Sequence, residues 1–233
     1  MNKGKLYLLP NLLSLEADPD FFFPPKLKDV VASLDGLFSE NEKNGRVYLK
    51  MLAGADIMRS MPQKAVNEHI EPVQLKQYAN MLQKGGKWGL VTDCGLPCFA
   101  DPGAQLVALV RNLGVEVIAF SGPSSITMAL MLSGFSAQAF VFHGYLPKDE
   151  PSLKQKLRQM EKEASRYTQI WIETPYRTDK MLSFLIKELS DATNLCVAAD
   201  LTGPMQQVVC KSVALWKKQP VLFGKLPAIF LIQ

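Results

Sequence analysis

Histidine is almost missing from this chain, with only His69 and His143, and cysteine is sparse, with Cys94, Cys98, Cys196 and Cys210. A metal centre of nitrogen and sulfur ligands has few donors to draw on, and the C-x3-C spacing of the first pair matches neither a redox C-x-x-C nor a zinc pair. The expectation is four free thiols packed as small apolar groups and no metal. Apolar runs of about 18 residues, the length needed to cross a bilayer, are also absent. At the start, MNKGKLYLLP sets basic residues before an apolar run, but Pro10 and Asn11 end that run too early for a signal peptide. A cytoplasmic chain without a membrane partner is expected. There is no repeat and no low-complexity segment, and neither G-x-G-x-x-G nor G-x4-GK[ST] spacing occurs, so a ligand read through a pyrophosphate is not expected. The excess of one charge sign is small: a formal +4 permits a nucleic-acid partner without demanding one.

What is present is an ordinary globular composition, 48% apolar and 21% charged over 233 residues. Such a chain can bury a substantial core. Short apolar runs bounded by Gly, Pro, Asn or Asp read as buried strands in KLYLLP and KWGLVTD. Between and after them lie helical patterns. Leu75, Tyr78 and Leu82 share one helix face before Gly85 and Gly86, and Leu106, Val107, Val110 and Leu113 recur at three and four before VEVIAF. Strand, helix, strand is a crossover unit of a parallel sheet. GPSSITMALMLSGF reads as a helix opened by Pro123 and closed by Gly134. AFVFHGYLP and TQIWIETP read as strands, and SLKQKLRQMEKEASR as a charged amphipathic helix with Leu153, Leu157 and Met160 on its buried stripe. The runs LCVAADLT, MQQVVCKSV and LPAIFLI have little helix between them, which predicts antiparallel pairing. DPDFFFPPK reads as an exposed loop, whose phenylalanines are open to base stacking, a dimer contact or core packing. The expected organisation is α/β in two domains, residues 1–120 with a mainly parallel sheet and 121–233 with a mixed sheet.

Chemistry concentrates in VTDCGLPCFADPG. In open α/β sheets ligands bind beyond the carboxyl ends of strands, and this stretch follows such an end. Gly95 lets backbone approach a ligand, Pro97 and Pro102 stiffen the loop, and Asp93 is available to accept from an ammonium or a ribose hydroxyl. Asp101 has a competing role as a helix N-cap before Pro102. FSGPSS is a second loop of this type, with satisfaction of the orphan N–H groups at a helix start as the alternative role for Ser124 and Ser125. Two such loops facing each other across a domain boundary would make a small-molecule cleft.

These residues carry a resemblance. LVTDCGLPCFADPG is similar to the LVSDAGTPLISDPG stretch of the ribosomal RNA small-subunit methyltransferase I family, within the tetrapyrrole (class III) methylases. FSGPSSITMALMLSGF resembles the family's PGPSA…AL..SGL, FVFHGYLPK its FxFEGFLPRK, WIETPYR its FYESPHR and ADLT its RELTK, in that order along the chain. The resemblance implies the tetrapyrrole methylase fold and a methyltransferase that uses S-adenosylmethionine in the cleft between its domains. It also implies a homodimer acting on the small ribosomal subunit, at the ribose 2′-oxygen of an rRNA cytidine. By motif, the cofactor-facing positions are Leu9, Pro10, Asp93, Gly95, Leu96, Pro97, Ser124, Ser125, Ile126, Glu173, Pro227 and Ala228. A sulfonium is a fixed positive charge, so its pocket should offer carbonyls and a carboxylate and keep cations away. VTDCGLPCFAD and SGPSSIT contain no basic residue.

Four segments depart from the family pattern. LPNLLSLEADPDFFFPP stands for TPIGNLxDxTxR, and FSENEKNGR stands for AEDTR, keeping Glu40. Ala199–Gly203 replaces RELTK without its lysine, and His143 takes the place of a glutamate. All four fall in segments expected to face the acceptor. A small-molecule, tetrapyrrole-like acceptor, a protein acceptor, and a binding protein without turnover therefore stand as alternatives to RNA. Glu40 and Asp200 are the catalytic candidates. Lys148 and Arg177, each following a strand, are the candidate substrate contacts to phosphate; the other basic residues of the second half read as a solvated helix face.

Overall fold

The computed structural model describes residues 3–233, which divide into two compact units. The first comprises the chain up to Leu12 with Asp18–Pro123, and the second Leu13–Ala17 with Ser124–Gln233.

In the first unit, β1 (Lys5–Leu9) is followed by α1 (Pro19–Phe22), α2 (Leu27–Ala32), β2 (Gly36–Ser39), α3 (Glu42–Ser60) and β3 (Gln63–Ala65). Then come α4 (Pro72–Lys84), β4 (Lys87–Val91), α5 (Gly103–Asn112) and β5 (Glu116–Ala119). All pairings in this sheet are parallel, in the order β3-β2-β4-β1-β5. Parallel strands are covered on both faces by their crossover helices, which is why β4 is buried from Trp88 to Val91. Leu75, Ala79 and Leu82 of α4 and Leu106 and Val110 of α5 pack with Leu6, Phe38, Trp88 and Leu90 in one core. Each large apolar side chain fully buried there contributes about 1.5–3 kcal/mol of transfer free energy.

The expected exposed loop at DPDFFFPPK is instead a helical turn. Asp18 caps α1 by accepting from the Asp20 N–H, and Pro19 occupies its first turn. Of the three phenylalanines, Phe21 is exposed and Phe23 is buried, so core packing claims only the last of the run.

The second unit contains α6 (Ser125–Ser133), β6 (Phe140–Tyr145), α7 (Glu150–Glu163), β7 (Thr168–Glu173) and a 3₁₀ turn at Pro175–Arg177. It continues with α8 (Thr178–Glu188), β8 (Asn194–Ala199), β9 (Gln207–Ser212), α9 (Val213–Lys218) and β10 (Ala228–Ile232). Its sheet is mixed, β6-β7-β10-β8-β9, parallel only between β6 and β7. Central β10 feeds two cores through the alternation of a strand. Ala228, Phe230 and Ile232 join the α7, α8 and α9 side, where the Phe230 and Trp171 rings stack at 5.6 Å, and Ile229 and Leu231 join α6. Leu153, Leu157 and Met160 are the buried stripe of α7, as their spacing predicts.

The expectation of four free thiols is corrected here. Cys196 and Cys210 are opposite one another in the β8–β9 pairing and are joined as a disulfide, and Cys94 and Cys98 take part in no disulfide. Strand register, which spacing in the sequence does not reveal, decides this pairing.

Candidate active site

The carboxyl edge of the first sheet assembles the first group of candidates. Val91 of β4 is in register with Leu9 of β1 on one side and Ser39 of β2 on the other. The next residues, Pro10, Glu40 and Thr92, therefore emerge side by side, and Thr92 Oγ1 donates a hydrogen bond to Glu40 Oε1. Asn11, one residue further on, ties β1 to the loop after β4. Its Nδ2 donates to the carbonyl oxygens of Thr92 (2.9 Å) and Asp93 (3.0 Å), its Oδ1 accepts from Leu12 N, and its backbone N–H donates to Gly95 O at 2.7 Å.

Gly95 has φ 76°, a left-handed conformation that a side chain would strain. On the other flank of β1, the Phe120 N–H donates to Leu8 O, and a Cβ at Gly122 would overlap Pro10. Pro10 is thus bracketed by both sequence-predicted loops. Asp93 is exposed at this edge, Leu96 is half-buried and Pro97 is buried.

The electrostatics of the edge are anionic. Burial pushes the Glu40 carboxyl above the usual glutamate range; the Thr92 hydrogen bond opposes that shift, while the nearby charges of Asp101 and Asp93 add to it. Burial also raises Asp101, whose carboxylate accepts from Cys98 N (2.6 Å) and Gly103 N (2.7 Å); the N-cap position of α5 is Pro102, so Asp101 closes the turn one residue before it. Cys98 is pushed up to about 12 by burial and by Asp101, which keeps it a neutral thiol. Between Lys87 and Lys148 the chain carries a single basic residue, Arg111, which lies in the last turn of α5 at the end away from the loop.

In the second unit, register again gathers the candidates. Ala228 pairs with Glu173 and with Ala199, and Asp200 donates its backbone N–H to Pro227 O at 3.0 Å. Glu173, Asp200, Pro227 and Ala228 share this edge. Glu173 is buried; its Oε1 accepts from Thr174 N and its Oε2 pairs with Arg177 at 3.2 Å. Asp200 has φ 48°, and its carboxylate accepts from Met205 N at 2.8 Å, closing a turn. Ser124 is the buried residue before α6, and its side chain makes no capping hydrogen bond; Ser125 and Ile126 open the helix. Lys148 and Arg177 line one cavity of about 310 Å³. His143 Nε2 lies 2.7 Å from Gln169 Oε1, and burial holds its pKa below the usual histidine value. Among the described residues no group of three or more His, Cys, Asp and Glu is placed to hold a metal, and no helix is long and apolar enough to cross a membrane.

Sequence reasoning did not single out Asn11, Thr92 or Lys180. A polar residue directly after a strand and its proline was the available signal for Asn11. Its partners lie more than 80 residues away, so only the strand pairing identifies its role.

A parallel sheet whose carboxyl edge is anionic and glycine-bearing, with a second, mixed α/β unit, matches known proteins. Residues 28–214 match the family of Tetrapyrrole (Corrin/Porphyrin) Methylases, and the chain belongs to it. The protein is a methyltransferase with the two-unit tetrapyrrole methylase fold.

Among its relatives, the ribosomal RNA small subunit methyltransferase I of Mycobacterium bovis is 28% identical over 225 residues, 95% of this chain and 76% of that protein. The protein of the same name from Vibrio cholerae is 30% identical over 203 residues, 87% and 67% of the two chains. The uroporphyrin-III-C-methyltransferase of Thermus thermophilus shares the fold with a TM-score of 0.55 at 15% identity, covering 98% of this chain and 91% of that one.

Proposed function

We propose that the protein transfers the methyl group of S-adenosylmethionine to RNA of the small ribosomal subunit, at the ribose 2′-oxygen of a cytidine, acting as a cytoplasmic homodimer. The observation that carries the cofactor reading is the anionic edge around Asp93, where carbonyls and carboxylates converge and residues 88–110 carry no lysine or arginine. A sulfonium is stabilised by such surroundings and repelled by cations, so the residues present fit the donor. When bound, S-adenosylmethionine supplies an electrophilic methyl group. Leu9, Pro10, Asp93, Gly95, Leu96 and Pro97 are the first unit's contribution to holding it. Ser124, Ser125, Ile126, Glu173, Pro227 and Ala228 are the second's.

For the acceptor, a hydroxyl must lose its proton as it attacks. Glu40 is the base this reading favours over Asp200: its raised pKa brings it nearer neutral pH, where a general base works best, and Thr92 fixes one carboxylate oxygen. The carboxylate of Asp200 is held in its turn by Met205 N–H. Lys148 and Arg177 are proposed as phosphate contacts. RNA is favoured as acceptor by relatives that are named as rRNA methyltransferases over most of the chain.

The test is incubation of methyl-labelled S-adenosylmethionine with small ribosomal subunits, free rRNA, protein and tetrapyrrole fractions. Label in small-subunit RNA, lost with Asp93→Ala, is the expected result. Label confined to protein or to a tetrapyrrole would overturn the RNA reading.

A further inference from the structure

The cavity of about 310 Å³ in the second unit lies beside the first turns of two helices, α7 and α8. Its floor is apolar, formed by buried Leu153 and Met181 and half-buried Phe184, and its rim is cationic, formed by Lys148, Arg177 and Lys180. The volume falls at the lower end of the range for small-ligand sites.

Charge compensation among these cations is uneven. Arg177 is tied to buried Glu173, and Glu150, the one acid on the rim, pairs with Lys154 at 3.1 Å. Lys148 and Lys180 have no ion pair among the described residues. Two ammonium groups without an ion pair, Lys148 and Lys180, the latter within the field of Glu150, stand over an apolar floor and suit a ligand that is anionic at one end and flat and apolar at the other. S-adenosylmethionine carries an ammonium and a sulfonium beside its carboxylate, which two further ammonium groups would repel, so this chemistry answers to the acceptor.

The outer face of α7 extends the positive surface. Arg158 and Lys162 follow Lys154 at intervals of four residues, interleaved with Gln155 and Gln159, and neither has an ion pair among the described residues. At 1.5 Å per residue the steps are about 6 Å. Lys154 is paired with Glu150 and Glu188, so Arg158 and Lys162 are the unpaired cations of this face, and two cations on the helix that also borders the cavity fit a polyanionic chain better than an isolated anion.

We propose that this cavity receives one nucleotide of the acceptor RNA, its phosphate at Lys148 and Lys180 and its base against Phe184, with the adjoining strand running along α7. The proposal rests on the RNA methyltransferase reading and assigns it Lys180 and Phe184, two residues that the motif resemblance leaves out.

The test is fluorescence anisotropy with a labelled single-stranded RNA oligonucleotide over a range of salt, alongside calorimetry with S-adenosylmethionine. Removing one phosphate-binding cation should lower the slope of log affinity against log salt by about 0.7, so Lys148→Ala/Lys180→Ala should lower it by about 1.4. Arginine at both positions should restore it. Phe184→Leu, which keeps the floor apolar but removes the ring face, should weaken binding about fivefold. Lys76→Ala, at an exposed position of α4, is the control that should change nothing. Cofactor affinity should stay at the wild-type value in every variant.

An unchanged slope in the double variant overturns the proposal while leaving the methyltransferase reading intact. So does competition by a phosphoserine peptide that is stronger than competition by unlabelled RNA. Wild-type protein that binds cofactor but no RNA overturns both the cavity and the RNA acceptor.

Discussion

Asn11→Ala removes three side-chain hydrogen bonds at once: two from Nδ2 to the carbonyls of Thr92 and Asp93, and one from Leu12 N to Oδ1. Asn11 is 8% exposed, Leu12 4% and Thr92 8%, so water has little room to replace them. At about 1 kcal/mol net per bond, with some partners left buried and unpaired, the loss should be about 2–4 kcal/mol. Hydrogen exchange of the β1 and β4 amides reads the first unit by itself, and that loss corresponds to exchange about 30- to 700-fold faster for amides that open with the unit.

Asn11→Asp sharpens the test. Aspartate keeps an acceptor for Leu12 N but loses both donors and sets a carboxylate against two carbonyl oxygens, so it should destabilise at least as much as alanine. Both variants untether the 92–95 loop, and affinity for S-adenosylmethionine should fall with the exchange protection. Acceleration below about twofold in Asn11→Ala would refute the claim that this side chain holds the two loops together.

Thr92→Val deletes the hydrogen bond that lowers the Glu40 pKa, so the acidic limb of the methyl-transfer pH profile should move to higher pH, whereas Thr92→Ser should leave it in place. Because the folded Glu40 pKa is raised, the stability linked to it is complete below the ordinary glutamate value and is lost as pH rises through the folded one. Glu40→Gln should therefore gain stability relative to wild type as pH rises above the ordinary glutamate value, measured by urea denaturation. His143 has the opposite sign. Its folded pKa is lowered, so its linked stability is complete above about pH 6.5 and is lost as pH falls toward the folded value. His143→Gln should flatten the fall in denaturation midpoint below pH 6.5, and an unchanged slope would contradict the buried, neutral imidazole.

The strands were legible where burial on both faces removes every polar residue, as in AIFLI of β10, or leaves a continuous apolar run, as in KLYLL of β1. β3 escaped notice because its three residues, QKA, are half-buried and carry no apolar run. α3 escaped because its buried face rests on Gly45, Tyr48, Leu49 and Leu52 alone, and its backbone leaves helical geometry at Gly54. The helical turn at Pro19 is signalled by Asp18 and Pro19, but at four residues it is too short to show a helical repeat, and its apolar residues are consecutive.

Of the candidate site, the loops could be placed because a strand, a glycine and a proline in sequence mark a strand's carboxyl end. The partners could not. The Glu40–Thr92 hydrogen bond spans 52 residues, and the Cys196–Cys210 pairing depends on the register of β8 against β9, which no local pattern encodes.

The central claim is that the anionic edge around Asp93 holds a sulfonium donor, and calorimetric titration with S-adenosylmethionine tests it most directly. Saturable binding by the wild-type chain, weakened at least tenfold in Asp93→Ala and in Asp93→Lys, is the predicted result. Absence of binding, or an affinity that survives a lysine at position 93, would contradict it.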